Sequence, residues 1–172
     1  MSAAGSVGCT LYNRITYNPP QWISNSIHLS NIPDSRIRLF HGPTPIHDFK
    51  IPGFENCGLT ALIKRDDLTS FDMSGNKVRK LEFLMAEALR DESSYDCVIT
   101  IGGLQSNHAR ATAVAARQLG LQPYLILRTK DSPEEINFVG NLLFNRYEAR
   151  HGFIKIKRAT PVMIEHQLFW KF

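Results

Sequence analysis

The sequence predicts an α/β protein built from βαβ units on a parallel sheet. Three neighbouring segments carry that expectation: a β-branched apolar run at Cys97–Ile101 ending at Gly102-Gly103, an alanine-rich helical stretch closed by Leu119-Gly120, and a second apolar run at Pro123–Leu127. Strand, helix and strand joined by short connections form a right-handed crossover between parallel strands.

The other elements are read in chain order. Residues 1–35 are rich in Asn, Ser and Pro, without sustained periodicity, and are expected to form an irregular arm pinned at Trp22 and Ile23. Arg36–Phe40 is a strand candidate, stopped by Gly42-Pro43-Thr44-Pro45 because proline offers no ladder donor. Leu59–Ile63, bounded by Gly58 and Lys64-Arg65-Asp66-Asp67, reads as a buried strand with a polar exit. Ser74-Gly75-Asn76 offers helix-capping chemistry, and Val78, Leu81, Met85 and Ala88, with Leu84 and Leu89, follow helical spacing. Ser106 or Asn107 caps the next helix, in which Ala109, Ala113, Val114 and Ala116 make a small-residue face and Gly120 the stop. Ser132-Pro133-Glu134-Glu135 combines a capping box with proline at the first helical position, and Ile136, Val139 and Leu143 carry that helix to about Tyr147. His151–Arg158 and Val162–Phe172 break the rhythm and show no evident partner. The expected organisation is an arm over 1–35, an α/β domain over 36–146 and a basic tail over 147–172.

Charge excludes some functions. The 172 residues carry 20 Lys and Arg against 16 Asp and Glu, but residues 1–145 are neutral and the whole excess of +4 lies in 146–172. A basic groove for nucleic acid is therefore not expected across the body. No apolar run approaches the roughly 20 residues of a membrane-spanning helix. Cys9, Cys57 and Cys97 are odd in number and widely spaced, which suits a reducing compartment better than disulfides, and no metal site is expected. The cytoplasm fits. Acidic residues are absent before Asp34, which keeps a mitochondrial transit segment as the alternative.

Two segments can carry chemistry. In Ser74-Gly75-Asn76-Lys77, a lysine sits at the positive end of a helix dipole with Arg79 and Lys80 close by. Both effects favour the neutral amine that attacks a carbonyl. A solvated lysine in a basic first turn reads the same way. In Thr100-Ile101-Gly102-Gly103-Leu104-Gln105-Ser106-Asn107-His108, a strand runs through glycines into polar residues at a helix start, where open parallel sheets bind ligands. A capped turn with nothing bound would look alike. There is no G-x-G-x-x-G, so this is not a dinucleotide fingerprint.

Lys64-Arg65-Asp66-Asp67, then Ser74-Gly75-Asn76-Lys77-Val78-Arg79-Lys80-Leu81-Glu82-Phe83, then Gly102-Gly103-Leu104-Gln105-Ser106-Asn107-His108 closely resemble the D-cysteine desulfhydrase and 1-aminocyclopropane-1-carboxylate (ACC) deaminase family. Gly42-Pro43-Thr44-Pro45 and Ala111-Thr112-Ala113 through Gly120 fit it too, so the resemblance covers about Phe40 to Arg146. It implies the N-terminal half of a tryptophan synthase β-like (fold type II) enzyme with pyridoxal 5′-phosphate as cofactor. By the same resemblance, Lys77 is the lysine that bonds the cofactor and Asn76 precedes it in the turn. Asn107 matches the asparagine that hydrogen-bonds the cofactor ring hydroxyl, Ser106 the serine that handles protons or positions substrate, and Gln105 lies beside the substrate. The implied reaction is β-elimination on a small amino acid, D-cysteine giving pyruvate, ammonia and hydrogen sulfide. His108 and the run Arg110-Ala111-Thr112-Ala113 resemble the desulfhydrase side more than the deaminase side. Full-length members are implied to be homodimers. The family's glycine- and threonine-rich phosphate loop lies in its second half, whereas here only Gly140 and Gly152 follow Gly120. A chain of this kind is expected to be an incomplete enzyme or a non-catalytic module that docks on a partner.

Overall fold

In the computed structural model, which describes residues 13–26, 31–54, 56–73, 75–90, 95–129, 137–149, 153–157 and 168–170, the expected βαβ unit forms the centre. Strand β5 (Cys97–Gly103) leads into helix α3 (Asn107–Gln118) and returns as β6 (Gln122–Thr129), parallel to β5 in the register Thr100 opposite Leu125. The β-branched run of β5 suits a strand, and the alternation of buried and half-buried residues along β6 marks one face of the pair as the packed one. Helix α3 shows why its sequence is alanine-rich. Ala111, Val114 and Ala115 join one apolar cluster with Val98, Leu81, Met85 and Ile37, while Ala109 and Ala113 join a second with Leu125, Leu127 and Leu142. Small side chains let the helix sit between two cores at close range.

Helix α2 (Lys77–Ala88) lies over the first cluster, with Val78, Leu81, Met85 and Ala88 buried as its spacing predicts. Its Glu82 is also buried, and Glu82 Oε1 accepts from the backbone N–H of Leu39 (2.8 Å) and Phe40 (3.4 Å), while Oε2 meets Arg36 at 3.2 Å. Burial pushes its carboxyl pKa up, against the pull of these donors.

Several expectations are corrected. The N-terminal arm is structured where it is described: β1 (Arg14–Thr16) pairs antiparallel with β2 (Ser35–Ile37), and a short helix α1 (Gln21–Ser26) lies between them. Ile23 is buried, but Trp22 is 58% exposed and pins nothing. The strand expected over Arg36–Phe40 is shorter and shifted, Ser35–Ile37, and ends ahead of the prolines at 43 and 45. A strand β3 (Ile46–Phe49) follows them directly and pairs antiparallel with β4 (Ala61–Lys64). The Leu59–Ile63 run is not a buried strand, since Leu59 and Leu62 are 65% and 64% exposed. No described element covers either face of this hairpin, so apolarity alone does not bury it.

The helix expected to begin at Ser132 is described only from α4 (Asn141–Glu148). Residues 137–139 are not helical and Gly140 takes φ +56°, which sets the start of α4 behind Val139; the 132–136 segment lies outside the described residues. The two C-terminal segments do find partners. Strand β7 (Phe153–Lys157) pairs parallel with β6, and β8 (Leu168–Trp170) pairs antiparallel with β5, giving the order β7-β6-β5-β8.

Candidate active site

The start of α2 is built from outside the helix. Asn76 occupies the N-cap position with helical φ and ψ (−68°, −15°), and its side chain makes no cap bond, contrary to the capping expected of the segment. Ser74 lies outside the described residues. The turn is instead held by its glycine. Gly75 N–H donates to the Asp66 carbonyl (2.8 Å) and the Thr69 hydroxyl (3.1 Å), at the end of the 3-10 turn Asp66–Leu68. Lys77 follows as the first helical residue, half-buried.

Of the two bases beside Lys77, Arg79 is paired with an acid. Arg79 makes a two-pronged ion pair with Asp66 (Nη2–Oδ1 2.7 Å, Nε–Oδ2 3.2 Å), touches Thr44 Oγ1 at 3.2 Å and stacks over Phe40 at 4.7 Å. Its guanidinium is thus charge-balanced by Asp66. The hydrogen bonds that Arg79 donates hold the Asp66 carboxyl below its usual range, and the same bonds raise Arg79. Lys64 Nζ donates to the Thr44 carbonyl, tying the end of β4 to the same cluster.

The second motif lies at the start of α3. Ser106 is its N-cap, and Ser106 Oγ accepts from Ala109 N–H at 3.1 Å, so the expected cap is present. Asn107 is the first helical residue, its Oδ1 accepting from Arg110 at 2.8 Å. His108 Nδ1 lies 3.5 Å from the Thr112 hydroxyl.

Gly75 brings the two motifs together. Its φ is +105°, and a Cβ placed on it would stand 2.8 Å from Asn107 Nδ2. Only glycine permits both that backbone conformation and that approach. The first turns of α2 and α3 therefore meet, with Lys77 and Asn107 each heading a helix and two positive dipole ends converging. Asn76 is exposed on the same turn. Gln105 is turned elsewhere: its Nε2 donates to the Val139 carbonyl (3.0 Å) and its Oε1 accepts from Asn141 N–H (2.9 Å) at the start of α4. Asn141 Nδ2 also donates to the Gln105 carbonyl at 3.0 Å. Sequence reasoning missed Thr69 and Gly140 as parts of this framework, and held Thr44 only within the Gly42-Pro43-Thr44-Pro45 motif, without the role of its side chain.

A family model described as "Pyridoxal-phosphate dependent enzyme" matches residues 37–141. The chain belongs to this family. A protein of Arabidopsis thaliana named as a mitochondrial bifunctional D-cysteine desulfhydrase/ACC deaminase is 53% identical over 132 residues, which is 76% of this chain and 31% of that protein. A D-cysteine desulfhydrase of Salmonella paratyphi B is 42% identical over 115 residues, 66% of this chain and 33% of the relative. A solved structure of an ACC deaminase homologue superposes with a TM-score of 0.61 at 34% identity, covering 84% of this chain and 40% of that one. The fold is that of the N-terminal portion of such enzymes. The chain spans about a third to two fifths of these proteins, less than the half that the resemblance implied.

The residues present suit one end of the family's cofactor. A lysine amine, an asparagine amide and the close glycine approach at position 75 form a donor set suited to a flat ring carrying a carbonyl and a hydroxyl. Among the described residues there is no glycine- and threonine-rich loop after Gly120 for its phosphate. No group of His, Cys, Asp or Glu among the described residues could hold a metal ion, and none of the described helices is long and apolar enough to cross a membrane.

Proposed function

We propose that this chain supplies the lysine-bearing portion of a pyridoxal-phosphate-dependent lyase of the D-cysteine desulfhydrase type. The meeting of the Lys77 turn with Asn107 through Gly75 is the observation that carries it. Lys77 would bond the cofactor, Asn107 would hydrogen-bond its ring, and Asn76 would border it. When bound, pyridoxal phosphate supplies an electron-withdrawing ring that makes the substrate Cα–H acidic. Ser106 accepts from Ala109 N–H and keeps its own hydroxyl hydrogen to donate, so it can position the substrate or pass a proton. Gln105 would border the substrate through its backbone, with its side chain committed to the 139–141 turn.

In the reaction, the Cα proton leaves, the Cβ–S bond breaks, and sulfide departs with a proton. Addition of water to the three-carbon remainder then gives pyruvate and ammonia. Relatives named for D-cysteine desulfhydration and for ACC deamination support this substrate class, with ACC as the second substrate. The parts of the site outside these residues, the phosphate anchor above all, would come from the rest of a family fold. A non-catalytic role, in which the chain docks on a longer partner of the family, is the second reading; the bare β3–β4 hairpin favours it. Assembly into a homodimer and a reducing compartment, cytoplasm or mitochondrion, complete the proposal.

The test replaces the matching segment of the Arabidopsis relative with residues 37–141 of this chain. Sulfide release from D-cysteine by the chimera, abolished by Lys77→Ala, is the expected result. A folded chimera without turnover of D-cysteine or ACC would contradict it. The 172-residue chain alone is expected to release little or no sulfide.

A further inference from the structure

We propose that Thr69 is a positioning residue for Lys77, setting where α2 begins and hence where the lysine stands against Asn107. The proposal rests on the reading that Lys77 bonds the cofactor. A helix start is normally located by its N-cap side chain, as Ser106 does for α3. Asn76 makes no such bond, so the start of α2 is located by something else.

Thr69 is fully buried, and its hydroxyl lies 3.1 Å from Gly75 N, which it shares with the Asp66 carbonyl (2.8 Å), 3.2 Å from Gly75 O and 2.9 Å from Asp66 O. One hydroxyl has one hydrogen and two acceptor sites. It therefore accepts the Gly75 N–H while donating to one of the two carbonyls, the nearer being that of Asp66, clasping the glycine at its amide. Thr69 is itself anchored, since its carbonyl accepts from His41 N–H at 2.7 Å. The clasped residue is the one that rests on Asn107 and stands two positions before Lys77. A single buried hydroxyl thus links the 3-10 turn, the lysine turn and the start of α3.

The experiment compares the full 172-residue chain with Thr69→Val and Thr69→Ser by two readouts. One is deuterium exchange at the Gly75 amide, followed by NMR without cofactor. The other is the ratio of Lys77 to Lys50 labelling by pyridoxal phosphate and borohydride, read by peptide mapping. T69V is expected to speed Gly75 exchange and lower the labelling ratio, each by about tenfold, the worth of one buried hydrogen bond. T69S is expected to stay within about twofold of wild type, because it retains the hydroxyl. A folded T69V with wild-type exchange and ratio overturns the proposal. If T69V does not fold, T69A and T69S decide, since both lack the methyl and only Ser keeps the oxygen; equal losses in the two overturn it. Wild type unlabelled at Lys77 would defeat the reading of function, while Gly75 exchange would still decide for or against Thr69.

Discussion

The β5-α3-β6 layer and the β3–β4 hairpin are equally apolar in sequence and opposite in environment. In the layer, Val98, Ala113, Leu125 and Leu127 are buried, because helices cover the sheet and each strand has neighbours. In the hairpin, Ile46, Phe49, Leu59 and Leu62 are exposed, and an isolated two-stranded ribbon has nothing to bury them against. Phe71, outside the hairpin, is almost fully exposed as well. An apolar run therefore states a capacity for burial, and coverage by other elements decides whether it is used. The layer also carries one of the two helix starts that form the site, so its packing bears on function more directly than the hairpin does.

Substitutions that shrink the layer should cost most. Leu81→Ala removes a fully buried side chain between α2 and α3 and is expected to lose about 3 kcal/mol, seen as a lower urea midpoint with an unchanged slope. Glu82→Ala comes next, at about 2 kcal/mol, since it strips the acceptor from Leu39 and Phe40 N–H and leaves Arg36 without its partner. At the other extreme, Leu62→Thr in the hairpin is expected to change stability by under about 0.5 kcal/mol, the scale of surface changes. A loss near that of Leu81→Ala would show that this face is covered in solution.

Between these lies a pH effect with two signs. Asp66 titrates below its ordinary value of 3.8, so its contribution is full above that pH and is lost as the solution is acidified further. Glu82 titrates above its ordinary value of 4.5, so its contribution is full below that pH and is lost as pH rises through the folded-state value. Urea titrations across pH 2–7 should therefore show Asp66→Asn flattening the acid limb. Glu82→Gln should gain on wild type as pH rises above 4.5. The reverse pattern would mean that the Arg79–Asp66 pair is not formed in solution.

How much of this is legible without coordinates depends on the range of the interaction. Helix α3 is nearly complete in the sequence, because its cap at Ser106, its alanine face and its stop at Gly120 are local signals. Of the β1–β2 pair only the second strand shows there, within Arg36–Phe40; the three residues Arg14–Thr16 have too little pattern and form a strand through pairing at a distance. The strands at 153–157 and 168–170 are hidden for the same reason, lacking any motif of their own. In the site, Lys77, Ser106 and Asn107 stand out as polar residues at helix starts. Their convergence does not, because it rests on Gly75 meeting a side chain 32 positions away and on the Thr69 clasp. That Asp66, thirteen residues earlier, balances Arg79 beside Lys77 is likewise not a local signal.

The central claim is that Lys77 and Asn107 are brought together to hold pyridoxal phosphate. Incubating the protein with the cofactor, reducing with borohydride and mapping the labelled peptides tests it most directly. The account predicts label concentrated on Lys77 and sharply reduced in Asn107→Ala. Label spread over exposed lysines such as Lys50 and Lys80, with Lys77 no richer than they are, would contradict it.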